Sequence, residues 1–293
     1  MNNERKALLC GLAAVLMWST VASAFKLTLA LLTPVQMLLV ASLTSIGVLG
    51  SVAYRRGALP LLGRYLRERP GYFLSLGLIN PFLYYLVLFA AYDLLPAQQA
   101  QALNYTWAVT LTLLSVPFLG HRIRRLDWLA IGLSYLGVLV IATKGEVLAL
   151  QFDNPLGVAL ALLSTLLWAC YWILNTRHQG DAVISLLLGF LLGLPAIIAV
   201  LWYQGQWQFP WQGVLGAVYI GAFEMGFAFL LWLMAMRLTS NTARISNLIF
   251  ISPLLSLALL ATLVGEAILP STLVGLCFIL ASLGVQQLGP KGH

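Results

Sequence analysis

The chain has little charge. Asp, Glu, Lys and Arg make up 9% of its 293 residues, against about 25% in ordinary soluble domains. The links between its apolar runs are short, so no room remains for a soluble domain. Histidine and cysteine are scarce as well, at three each. Cys10, Cys170 and Cys277 lie inside apolar runs, are odd in number and lack metal-ligand spacing. Each therefore reads as a small buried residue, not as part of a disulfide framework or metal site. His121, His178 and His293 fall in links or the tail, and neither a metal nor a cofactor is expected. No G-x-x-x-x-G-K-[ST] run is present, so the chain carries no ATPase of its own. The absence of G-x-S-x-G, of mid-span histidine and of paired mid-span acids argues against a membrane-embedded enzyme. A passive channel would show rings of charge or a carbonyl filter, and neither pattern is visible.

What the chain does have is apolar length. Apolar residues are 61% of the total. Runs near 20 residues, enough to cross a ~30 Å hydrocarbon core as helices, fall at about 6–26, 34–53, 71–91, 97–117, 126–143, 155–175, 183–202, 212–236, 243–263 and 271–289. The expected fold is an all-α integral membrane protein with ten transmembrane helices. Net charge is +7, but its distribution points to topology and not to nucleic acid. With a cytoplasmic N-terminus, fourteen of the sixteen Lys and Arg residues fall on the cytoplasmic side, and only Lys26 and Lys144 fall outside. That is a strong positive-inside pattern with both termini cytoplasmic. Residues 4–24 also have the outline of a signal peptide, ending on Ala22-Ser23-Ala24. The apolar run is longer than a usual signal core, so an uncleaved first helix is expected.

The second half resembles the first. Leu8–Thr28 compares with Leu156–Thr176, each with a mid-span tryptophan, Trp18 or Trp168. Ala90–Ile123 compares with Ala235–Ile268, closing on Leu119-Gly120-His121 or Val264-Gly265-Glu266. Five spans per unit would place the second unit upside down. The expected organisation is therefore two inverted five-helix repeats, 1–145 and 150–290. Inverted repeats are a common way to build alternating access to one central site.

The stretch Ala235-Met236-Arg237-Leu238-Thr239-Ser240, then Ser252-Pro253, then Gly265-Glu266, resembles the "A-L-K-Y-T-S … P … G-E" pattern of the EamA-type branch of the drug/metabolite transporter superfamily. The first repeat departs from it, with Ala108 in place of proline and His121 in place of glutamate. Within that branch the chain is similar, over nearly its full length, to bacterial aromatic amino acid exporters. The resemblance implies a bacterial inner-membrane transporter that moves a small-molecule substrate outward. A monomer satisfies this architecture.

Depth sorts the candidate site residues. Trp202, Trp207, Trp211 and Trp128 lie at span ends and read as interfacial belt residues. Trp18, Trp107 and Trp168 lie near mid-span, where an indole either packs between helices or lines a cavity. Asn80 with Tyr84, Asn104 with Trp107, and Asn247 with Phe250 are three or four residues apart, as helix-face neighbours would be. Their mixture of amides and aromatic rings suits a zwitterion with a large side chain. The same asparagines would also serve as interhelical hydrogen-bond glue. Glu224 is the single mid-span acid, and an intramembrane acid is costly. A proton site, a contact for a substrate ammonium, and a neutral acid bonded to a neighbouring helix all remain open for it. Pro81 and Pro253 are candidate hinges, and Gly213, Gly216, Gly221 and Gly226 give the eighth span a thin side.

The expected function is export of amino acids, aromatic and other neutral apolar ones foremost. The alternative is another small amphipathic metabolite or drug.

Overall fold

The computed structural model describes residues 3–119, 125–148, 154–175, 180–239, 245 and 247–287, without the side chains of Leu119, Asn247, Phe250, Gln286 and Gln287. Among the described residues all regular structure is helical. Among the described residues, seven helices are long and apolar enough to cross a bilayer. They are α1 (Asn3–Leu29), α2 (Pro34–Arg55), α4 (Pro70–Leu94), α7 (Arg125–Ala142), α8 (Pro155–Asn175), α9 (Ala182–Gln204) and α10 (Trp211–Leu238). Shorter helices complete the chain: α3 (Pro60–Glu68), α5 (Ala97–Asn104), α6 (Trp107–Leu119), α11 (Ile251–Val264) and α12 (Pro270–Gln287). This is a multi-pass membrane protein.

Two compact units divide the chain, and each draws on both halves of the sequence. One comprises Met1–Leu86 and Gln179–Gly265. Within it α1 packs on α10 and α11, and α2 packs on α9 and α10. Small residues permit the close approaches. A Cβ on Gly213 would stand 2.7 Å from Leu32, and one on Gly216 would collide with Thr28. At Gly221 it would meet the Ala41 carbonyl. The expected thin side of this helix is thus filled by α1 and α2. At one end of this unit, Asp181 caps α9 by accepting from the Val183 and Ile184 N–H groups at 2.9 and 3.2 Å. The same carboxylate pairs with Arg56 at 2.7 Å. The Tyr65 hydroxyl of α3 accepts the Asp181 N–H at 2.8 Å. The link between the second and third apolar runs, residues 54–70, therefore holds a docked helix.

The other unit comprises Val87–His178 and Glu266–His293. Its core is α7 against α12, where Gly137 and Gly275 meet so closely that a Cβ on Gly275 would lie 2.6 Å from the Gly137 carbonyl. Helices α5 and α6 both pack on α8.

Two long helices are interrupted within the first unit. In α4, Asn80 has extended backbone angles (φ −139°, ψ 116°) and its peptide bond to Pro81 is cis. A residue before proline is pushed out of the α region, and proline has no N–H to return to Gly77. The segment Leu78–Leu83 widens to π-type bonding, with the Tyr84 N–H reaching back to the Ile79 carbonyl. Gly193 of α9 crosses at the Gly77 carbonyl that loses this donor: a Cβ on Gly193 would stand 2.6 Å from that oxygen. In α10, Ile220–Phe227 is also π-type. There Ser45 of α2 donates to the Gly221 carbonyl at 3.0 Å, so a side chain enters the helix's own ladder.

Candidate functional site

Glu224 stands in the π-type stretch of α10. Its Oε1 accepts from the Tyr85 hydroxyl of α4 at 3.3 Å. Its Oε2 is buried and has no hydrogen-bond partner among the described residues. Tyr85 is almost wholly buried, and its ring meets that of Tyr84 edge-on at 4.8 Å. Asn80 is buried, with its Oδ1 also unpartnered among the described residues. The four-residue spacing of Asn80 and Tyr84 does not give them a common helical face, because the helix is broken at Asn80. What joins them in the sequence is burial on either side of that break.

Trp18 is half-buried against two rings of α10, Trp232 at 5.3 Å and Phe229 at 5.9 Å. Pro253 lies in the first turn of α11, directly after the 3-10 turn Asn247–Phe250. Proline is tolerated in a first turn, so its presence there does not itself break a helix. The side chains of Asn247 and Phe250 lie outside the described residues, as does His121.

In the second unit the fourth apolar run is not one helix. Thr106 Oγ1 donates to the Leu103 carbonyl at 2.8 Å, and the Thr106 N–H bonds the same oxygen at 3.2 Å. These three-residue contacts replace the four-residue ladder. The chain turns at Tyr105 and Thr106 and restarts at Trp107. Asn104 and Trp107 therefore end one helix and begin the next. Asn104 Nδ2 donates to Ser164 Oγ of α8 at 2.9 Å, and Thr110 and Thr165 hydroxyls meet at 3.0 Å between α6 and α8. Asn104 thus makes a hydrogen bond between two helices of this unit. Trp168, 9% exposed, stacks on Tyr171 at 5.5 Å and meets Trp172 edge-on at 6.0 Å. The Trp172 Nε1 is buried without a partner among the described residues. Trp107 is half-buried. The four expected belt tryptophans are all exposed.

Sequence reasoning missed two contributors. Tyr85 was hidden because it shares no helix with Glu224. Glu266, read only as part of a family motif, caps α5: its two oxygens accept the Ala97 and Gln98 N–H groups at 3.0 Å each. Gln98 returns the clasp, donating to the Ala267 carbonyl at 2.7 Å and accepting the Leu269 N–H at 2.9 Å. The signal in the sequence was Pro96 before a helix without a side-chain cap of its own. Among the described residues no group of three or more His, Cys, Asp or Glu could hold a metal.

The sequence profile of the EamA-like transporter family matches residues 5–143 and again 155–285. The chain belongs to this family. It is an EamA-type transporter of the drug/metabolite superfamily, as its motifs implied. An uncharacterized transporter of Clostridium kluyveri is 25% identical over 198 residues, 61% of this chain and 63% of that protein. Protein RarD of Streptomyces exfoliatus is 34% identical over 37% of this chain and 33% of its own length. The match thus spans less than two thirds of either. The aromatic amino acid exporter YddG of Ancylobacter novellus is 26% identical over 263 residues, 88% of both chains. A solved crystal structure shares the fold with a TM-score of 0.64 at 22% identity, covering 96% of each chain.

Proposed function

We propose that this EamA-type transporter exports aromatic and other neutral apolar amino acids across a bacterial cytoplasmic membrane by alternating access. The observation that carries this reading is the similarity over 88% of both chains to an aromatic amino acid exporter. The side chains are compatible with it. Each compact unit holds both aromatic rings and amides of the expected set: Trp18, Asn80 and Tyr84 in one, Asn104, Trp107 and Trp168 in the other. Asn247 and Phe250 join this substrate-binding set by sequence position. Glu224 supplies the polar or proton-carrying group, and Pro81 and Pro253 serve as hinges.

Alternating access would rest on ten spans arranged as two inverted repeats, 1–145 and 150–290, with both termini cytoplasmic. The family profile's double match along the chain supports a duplicated unit. Where seven helices are long enough to span unaided, the remaining three spans would be α5 with α6, α11 with the turn before it, and α12.

Reconstituted protein should exchange labelled phenylalanine for internal phenylalanine, with saturation, and with competition by tryptophan, tyrosine and methionine. Saturable exchange of a different amphipathic metabolite, with none of the amino acids competing, would refute the substrate assignment. Flux that neither saturates nor responds to trans substrate would refute a carrier.

A further inference from the structure

We propose that Glu224 and Tyr85 form a subsite for a primary ammonium group, which in an amino acid substrate is its α-ammonium. The subsite rests on the transport reading for the identity of the substrate, but its chemistry stands on the pair itself. Glu224 is under-supplied with donors. An ionised carboxylate offers about four acceptor positions. Here one oxygen has a single long bond, 3.3 Å against the usual 2.5–3.0 Å for O–H···O, and the other is buried with no partner among the described residues.

Among the described residues of the elements packed around it, no Lys or Arg side chain stands beside it. The π-type stretch that carries Glu224 packs on α1, α2 and the rest of α10. Arg5, Lys6 and Lys26 of α1, Arg55 of α2 and Arg237 of α10 all stand near helix ends. Arg237 is thirteen residues from Glu224, roughly 20 Å along a helix. Helix α4, which supplies Tyr85, carries no Lys, Arg or His. Arg56 and Arg64 pair with other acids, Asp181 and Glu68. The missing charge must therefore arrive with a ligand or as a proton.

The surroundings favour a ligand. A primary ammonium carries three N–H donors and one positive charge. Glu224 Oε2 can accept one donor, and the Tyr85 oxygen can accept a second while its own proton stays on Oε1. Aromatic faces attract cations; Tyr85 brings a ring to Glu224, and both helices carry further rings nearby in sequence. Tyr84 and Tyr85 meet at 4.8 Å on α4, and Tyr219 and Phe223 meet at 4.7 Å on α10. Two long helices widen to π-type turns, and both widened stretches adjoin this pair. Such turns are frequent at functional sites because they re-aim side chains.

Three probes separate the possibilities when titrated calorimetrically into the purified full chain: phenylalanine, phenethylamine and 3-phenylpropionate. Wild type should bind both amines at least about tenfold more tightly than the acid without an amine. Glu224→Gln should lose about tenfold or more for both amines and nothing for 3-phenylpropionate. Tyr85→Phe should lose severalfold for the amines only, and it decides the matter if the Gln variant fails to fold. Equal affinities of wild type for all three probes would overturn the subsite. So would unchanged amine affinity in Glu224→Gln, including the case in which that variant merely stops responding to an imposed pH gradient, which would make Glu224 a proton site. Loss of phenethylamine binding in Glu224→Gln, with no phenylalanine binding in wild type, would keep the subsite and reject amino acid export. Phenylalanine transport untouched by either variant would do the reverse.

Discussion

Tryptophan placement shows how far single residues could be read. The four tryptophans at span ends are exposed, as the interfacial place expected from hydropathy requires. Mid-span rings were not legible, because depth does not say which neighbour a ring meets. Trp18 leans on Phe229 and Trp232, and Trp168 stacks on Tyr171. Both contacts are compatible with packing and with a wall that a substrate touches on its other side. Substitution separates the two. Trp107→Ala and Trp168→Ala should each lower transport about tenfold or more, the usual scale for truncating a buried aromatic contact, while leaving melting behaviour in detergent nearly intact. Trp207→Ala, at a position 48% exposed and expected in an interfacial belt, should keep wild-type flux. Equal losses of folded protein in the first two variants, with normal specific activity in what remains, would assign both rings to packing. Glu224 is the opposite case. Its rarity made it visible in the sequence, but its partner Tyr85 could not be found by spacing because the two sit on different helices.

At the scale of elements, apolar length predicted helix positions well and helix continuity poorly. The predicted run 34–53 is the helix Pro34–Arg55, and 155–175 is Pro155–Asn175. The run 97–117 divides at Tyr105 and Thr106, because one hydroxyl and one N–H compete for the Leu103 carbonyl. Hydropathy averages over such local competition and cannot register it. The break at Asn80 was more legible, since an Asn-Pro pair carries a mechanism of its own. The Glu266 clasp has a consequence at this scale. Both carboxylate oxygens lie on the first N–H groups of α5, where the helix dipole is positive. Replacing Glu266 by Ala should destabilise the protein by about 1–2 kcal/mol, seen as a melting temperature lower by several degrees. Glu266→Gln retains one acceptor oxygen and should lose less. An unchanged melting temperature in Glu266→Ala would mean that the cap contributes nothing to stability.

At the scale of the whole molecule, the order of the long apolar helices was readable and their grouping was not. Repeat similarity divides the chain near its middle, whereas each compact unit takes a piece from each half. Side-chain packing decides that grouping, and no periodicity in one sequence reports it. Orientation depends on neither grouping nor packing. It rests on where Lys and Arg can remain hydrated during insertion, and fourteen of the sixteen fall on one side of a ten-span threading. The segment 54–70 carries five of them, Arg55, Arg56, Arg64, Arg67 and Arg69, around the docked helix α3. The link after α9, with Gln206, carries none. Ten spans with a cytoplasmic N-terminus put these two segments on opposite faces, cytoplasmic for the first and external for the second. A membrane-impermeant maleimide applied to intact cells should therefore miss Arg64→Cys and label Gln206→Cys, each built on a chain lacking Cys10, Cys170 and Cys277. Both positions are exposed, so access is set by side and not by burial. Labelling at position 64 alone would invert the whole protein. Labelling at both would mean an odd number of crossings is missing between them, which would rule out the proposed five-plus-five arrangement and the alternating access built on it.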